Sequence, residues 1–130
     1  MIYLDASALI TLVTGRVYAD ELRGFLAARP PMPMGTSTVG FVEVVRTLDR
    51  LGDFPNAMRD LRGDYTEILL TEEVRDMTVL LPAGVRTLDA IHVASAQVIG
   101  DALDTLVSYD KRMLDVAHSV GVPTAAPGLV

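Results

Sequence analysis

Met1-Ile2-Tyr3-Leu4-Asp5-Ala6-Ser7-Ala8-Leu9 sets three apolar residues directly against a carboxylate, then a small hydroxyl and a second apolar run. That is the pattern of a short buried strand breaking into a helix, and it leaves Asp5 at the strand's C-terminal end. In an open α/β sheet, ligands bind in the crevice above the carboxyl ends of parallel strands. The organisation of the chain therefore turns on whether further carboxylates arrive at that edge.

A length of 130 residues predicts one domain, 1–130, and half of those residues are hydrophobic. So apolar a composition in a small domain leaves surface for a partner, and a homodimer, a bound partner chain, or both are expected. No apolar run approaches the roughly 18 residues needed to cross a bilayer, and Asp5 interrupts the N-terminus before a signal-peptide core can form. The expectation is a cytoplasmic protein with no membrane association. With no cysteine, and with His92 and His118 as the only histidines, disulfides and thiolate zinc sites are excluded, and any metal must be held by oxygen. The net charge of -6 argues against broad electrostatic binding of nucleic acid. It leaves open a nuclease whose acidic site reaches phosphate through a divalent ion.

Outward from the opening stretch, helices are expected over residues 7–13, 18–28 and 39–51, with shorter ones over 55–62 and 71–81. Two more run from Arg86 to about Gly100 and from Asp110 to Gly121. Apolar residues recur at helical spacing, as at Tyr18, Leu22, Phe25 and Leu26, at Phe41, Val44, Val45 and Leu48, and at Met58 and Leu61. Strands are expected over 1–4, 34–37, 66–70, 105–108 and 122–125. Each is separated from the next by one or two helices, which requires crossover connections. The fold class is therefore α/β: a single α/β/α sandwich on a mostly parallel sheet of about five strands, with Met1 to Leu4 as its central strand.

Four carboxylates then fall at strand ends or in early helix turns: Asp5, Glu43, Asp89 and Asp110. Parallel strands would bring them to one edge, where like charges raise one another's pKa unless a cation intervenes. Mg²⁺ or Mn²⁺ suits oxygen-only ligands. The chemistry such a site supports is metal-assisted phosphodiester hydrolysis, with one ion, or two ions about 4 Å apart, acidifying water and stabilising the leaving oxygen. Ser7 is placed to hydrogen-bond a carboxylate or a water.

The segments Tyr3-Leu4-Asp5-Ala6-Ser7-Ala8-Leu9, Phe41-Val42-Glu43-Val44-Val45-Arg46, Leu88-Asp89-Ala90-Ile91-His92-Val93-Ala94-Ser95-Ala96 and Ser108-Tyr109-Asp110-Lys111-Arg112 resemble the motifs of the PIN-domain family. The likeness is nearest to VapC-type ribonuclease toxins of toxin–antitoxin pairs, and it runs in order over essentially the whole chain. It implies a PIN-like fold and a Mg²⁺- or Mn²⁺-dependent endoribonuclease acting on RNA, usually dimeric and silenced by a cognate antitoxin protein. Under the resemblance, Asp5, Glu43, Asp89 and Asp110 match the metal-binding acids, with Asp115 a substitute for or helper of Asp110. Ser7 matches the small polar helper, and Ser108 opens the fourth motif as a further supporting residue.

Simpler readings exist for each residue. Asp5 is an ordinary helix N-cap type, and Asp89 and Asp110 could complement helix dipoles. Glu43 could pair with Arg46 on the helix surface. Arg86 and Arg112 flank the acids and suit either RNA phosphate or a neighbouring carboxylate, while His92 reads as a structural, hydrogen-bonded histidine. The competing function is a catalytically silent PIN-like binding module in a regulatory complex. A receiver-like phosphoacceptor is disfavoured, because Asp5 lacks an acidic neighbour and Lys111 directly follows Asp110.

Overall fold

The computed structural model describes residues 1–129, so Val130 of the single-domain reading lies outside the described residues. Its five strands are β1 (Ile2–Leu4), β2 (Met34–Ser37), β3 (Thr66–Ile68), β4 (Thr105–Val107) and β5 (Thr124–Ala125). They form one sheet in the order β3-β2-β1-β4-β5, with every neighbouring pair parallel. β1 is the central strand and is buried throughout. Ile2 lies opposite Met34 on one side and Thr105 on the other.

Among the described residues, seven α-helices provide the crossovers: α1 (Ala6–Thr14), α2 (Ala19–Ala27), α3 (Thr38–Leu51), α4 (Ala57–Asp64), α5 (Glu72–Val79), α6 (Thr87–Ile99) and α7 (Lys111–Ser119). Successive side chains of a strand point to opposite faces, and β1 shows the division directly. Ile2 and Leu4 enter a core with Leu9, Leu22, Val44 and Leu48, from α1, α2 and α3. Tyr3 enters the opposite core with Val93, Ala96, Met113 and Ala117, from α6 and α7. This is the expected three-layer sandwich, and α6 buries Ala90, His92, Val93, Ala94, Ser95 and Ala96 as its small-residue composition predicts. Among the described residues, no helix is long and apolar enough to cross a membrane.

Three expectations need correction. β3 stops at Ile68 rather than Leu70, and Leu69 and Leu70 stand 60% and 52% exposed. On α4, Met58 is 43% exposed, while Ala57 and Leu61, four residues apart, form the buried pair. α4 also runs through Gly63 to Asp64, where a turn was expected, because nothing at Gly63 requires a positive φ.

Candidate active site

Asp5 leaves β1 directly into the N-cap of α1 and is 2% exposed. Its Oδ1 accepts the Ala8 N–H at 2.9 Å and the Ser7 hydroxyl at 2.6 Å, and its Oδ2 accepts the Ser108 hydroxyl at 2.5 Å. Each serine is itself held, since Ser7 Oγ accepts the Tyr109 N–H at 2.9 Å and Ser108 Oγ accepts the Asp110 N–H at 3.0 Å. Two hydroxyls thus clamp the turn between β4 and α7 onto Asp5. A carboxylate offers about four lone-pair sites, so three donors from the chain leave room for another partner. Burial pushes the Asp5 carboxyl above its ordinary value, with the Ser108 and Ser7 hydrogen bonds opposing the shift.

Asp89 lies in the first turn of α6, and Asp110 caps α7 by accepting the Arg112 N–H at 3.0 Å. Arg86, the residue before α6, places Nε 2.9 Å from Asp89 Oδ2 and Nη2 3.2 Å from Asp110 Oδ2. One guanidinium therefore bridges two carboxylates from different elements. The Asp89 hydrogen bond and charge, with Asp110 adding to them, shift Arg86 upward. Arg112 joins this network through its backbone N–H alone, and the side chains of Asp115 and Arg112 stand beside it. They line a hollow of about 330 Å³ there, together with Arg86 and Asp89.

Glu43 comes from the second turn of α3 and faces a groove of about 440 Å³ shared with Val42, Arg46, Arg50 and Leu88. Its partner is His92 rather than Arg46, with Nε2 to Oε1 at 2.6 Å. The other ring nitrogen of His92, Nδ1, lies 2.6 Å from the Tyr3 hydroxyl, whose oxygen accepts the Ser37 N–H at 3.2 Å. Burial pushes the Tyr3 phenol up.

All four acids thus stand at the C-terminal edge, three of them in one hydrogen-bonded region with Ser7, Ser108 and Arg86. For Asp5 and Asp110 the simpler reading holds as well, since both are N-caps, whereas the surface pair of Glu43 with Arg46 is replaced by the contact with His92. Tyr3 had read only as strand core and His92 only as structural. The signal for both was a buried polar group in need of a partner.

As the side chains stand, no three His, Asp or Glu residues among the described ones converge closely enough to hold an ion. Arg86 spans Asp89 and Asp110, and His92 occupies one oxygen of Glu43. The donor chemistry nevertheless fits a hard divalent cation: carboxylate oxygens from four elements lie at one sheet edge, and positive charge is already favoured between two of them, Asp89 and Asp110. Arg86 is 60% exposed and, among the described residues, is anchored at its head by these ion pairs alone.

The family model described as PIN domain matches residues 2–119. Ribonuclease VapC47 of Mycobacterium tuberculosis is 40% identical over 136 residues, spanning 100% of this chain and 99% of its own. Ribonuclease VapC46 of the same species is 38% identical over 128 residues, spanning 97% of each. Among solved structures, a toxin–antitoxin complex from Klebsiella pneumoniae superposes with a TM-score of 0.73 at 21% identity, covering 100% of both chains. VapC20 of Mycobacterium tuberculosis, described as a sarcin-ricin loop cleaving toxin, gives 0.72 at 17% identity over 98% of this chain and 100% of its own. At those identities the two structures speak for the fold alone, whereas the family model and the full-length relatives establish membership: the chain belongs to the PIN-domain family, on its VapC branch.

Proposed function

We propose that the protein is a Mg²⁺- or Mn²⁺-dependent endoribonuclease, the toxin of a toxin–antitoxin pair, and that Asp5, Glu43, Asp89 and Asp110 hold the metal. The observation that carries this reading is the arrival of those acids, from four separate elements, at one edge of the sheet in a full-length relative of VapC ribonucleases. Bound metal supplies Lewis acidity at the scissile phosphate and at the attacking water. The chain supplies the rest. Ser7 and Ser108 fix both oxygens of Asp5, so its orientation is set before any substrate arrives. Arg86 shares its charge between Asp89 and Asp110 and carries a planar fork suited to RNA phosphate, and Arg112 stands beside it. Asp115, on the rim of the same hollow, is a reserve carboxylate rather than a primary ligand.

The partners on this reading are RNA as substrate, a cognate antitoxin that covers the groove beside Glu43, and a second copy of the chain. The exposed apolar residues Leu69, Leu70, Val79 and Leu80 supply surface for such contacts.

The test is incubation of the purified protein with single-stranded and structured RNA in Mg²⁺, in Mn²⁺ or in chelator. Internal cuts with either ion and none in chelator are expected. Undiminished cleavage in chelator would contradict the metal assignment. A protein that binds metal and antitoxin yet cuts no RNA would instead be a silent binding module.

A further inference from the structure

We propose that His92, fixed in turn by Tyr3, is a positioning residue for Glu43, holding its carboxylate toward the acidic edge through an Nε2–H hydrogen bond. The inference rests on Glu43 being a metal ligand, as argued above, and adds the device that orients it.

The donor and acceptor assignments follow from chemistry. An ionised carboxylate only accepts, so the 2.6 Å contact between Glu43 Oε1 and His92 requires the proton on Nε2. The Tyr3 oxygen accepts the Ser37 N–H and has one proton to give, and His92 Nδ1, 2.6 Å away, takes it. For a neutral imidazole, the run Ser37 N–H to Tyr3 O–H to His92 to Glu43 is thus consistent at every link and selects one tautomer. Which nitrogen of a metal-site histidine carries the proton is commonly set by the bond that the other nitrogen makes.

Burial makes the arrangement stiff. Tyr3 is 0% and His92 2% exposed, and the rings meet edge to face with centroids 5.8 Å apart. The Glu43 side chain, by contrast, is 34% exposed and faces an open groove. Without an anchor its three torsions would be free, and ordering them on ion binding would weaken the site. Both ends of the run also act on α3. Ser37 caps that helix through Gly40 N–H at 3.0 Å, and Glu43 lies one turn further along it. A merely space-filling histidine would direct its outer nitrogen to any available carbonyl; this one reaches the acid at the site.

Partners of this kind typically change metal affinity or activity about 10–100-fold when removed. The experiment compares the wild-type chain with His92→Phe, His92→Gln and Tyr3→Phe by Mn²⁺ titration calorimetry. Long-range ¹H–¹⁵N spectra of the His92 ring accompany it, with exposed His118 as the internal reference. The wild type is expected to show the Nε2–H tautomer. His92→Phe should bind Mn²⁺ about 10–100-fold more weakly, while His92→Gln, whose amide N–H replaces Nε2–H, should return to within about threefold of wild type. Tyr3→Phe should leave the fold intact and weaken the Nε2–H preference without abolishing it, because the bond to Glu43 alone then selects the tautomer. An Nδ1–H tautomer in the wild type overturns the proposal, as does unchanged Mn²⁺ affinity in a folded His92→Phe chain. If His92→Phe does not fold, His92→Gln against Tyr3→Phe carries the comparison. A wild-type chain that binds no Mn²⁺ contradicts the metal-dependent reading instead, and the tautomer spectrum still decides whether His92 donates to Glu43.

Discussion

Asp5 concentrates the conflict between stability and function. Its carboxylate is buried and receives three hydrogen bonds from the chain, yet burial outweighs them and its carboxyl is held above the ordinary value. The linkage has a definite sign. Between the ordinary value and the raised one, the folded state binds more protons than the unfolded chain, so in chelator stability falls as pH rises through that window and recovers as pH drops below it. Asp5→Asn removes the buried charge while keeping an oxygen for the Ala8 N–H. Ser108 can rotate its hydroxyl to accept from the new amide. The substitution should raise stability at neutral pH by on the order of 1 kcal/mol, roughly 4 °C in melting temperature, and flatten the pH dependence. Thermal melts across acid to neutral pH in chelator measure both effects, and a less stable Asp5→Asn chain would show that the hydrogen bonds dominate after all.

At the scale of elements, the position of α3 decides where Glu43 points, and Gly40 decides where α3 sits. A Cβ at Gly40 would lie 2.1 Å from Thr36 Oγ1 and 2.9 Å from Thr36 Cγ2, on a buried β-branched side chain with little freedom to turn away. Alanine favours a helix over glycine by about 1 kcal/mol, but overpacking of this kind costs about 1–3 kcal/mol. Gly40→Ala should therefore be destabilising on balance, with a lower urea midpoint, and a neutral or raised midpoint would mean that α3 can shift freely. Much of this level was legible in the sequence, because the opening stretch, the crossover spacing and the helical periods each carry their own physical signal. The misses came where a boundary depends on a neighbour. β3 is an edge strand, and Leu69 and Leu70 just beyond it are more than half exposed, while the inward face of α4 follows Ala57 rather than Met58. The acids were legible because each follows a strand or sits in an early helix turn. The Tyr3–His92–Glu43 link was not, because it depends on which face of β1 Tyr3 takes and on how α3 and α6 meet across the sheet.

For the whole molecule, exposed apolar surface and the acidic edge make separate demands. Leu70 and Val79, 52% and 74% exposed, line a groove of about 380 Å³ with Ile91. The dimer reading predicts that sedimentation at micromolar concentration gives a two-chain particle, and that Leu70→Glu together with Val79→Glu shifts it to one chain. A wild-type monomer would contradict the dimer without touching the site. The central claim is that the acids at the C-terminal edge form a metal-dependent ribonuclease site, and Asp89 probes it most cleanly, because α6 fixes its position and, among the described residues, its carboxylate pairs with Arg86 alone. The direct measurement is the rate of RNA cleavage in Mg²⁺ or Mn²⁺ by the wild type against Asp89→Asn, with both chains shown to be folded. The account predicts that Asp89→Asn loses at least about 100-fold in rate, the scale expected when a group stabilising transition-state charge is removed. Equal, metal-dependent cleavage by both chains would contradict it.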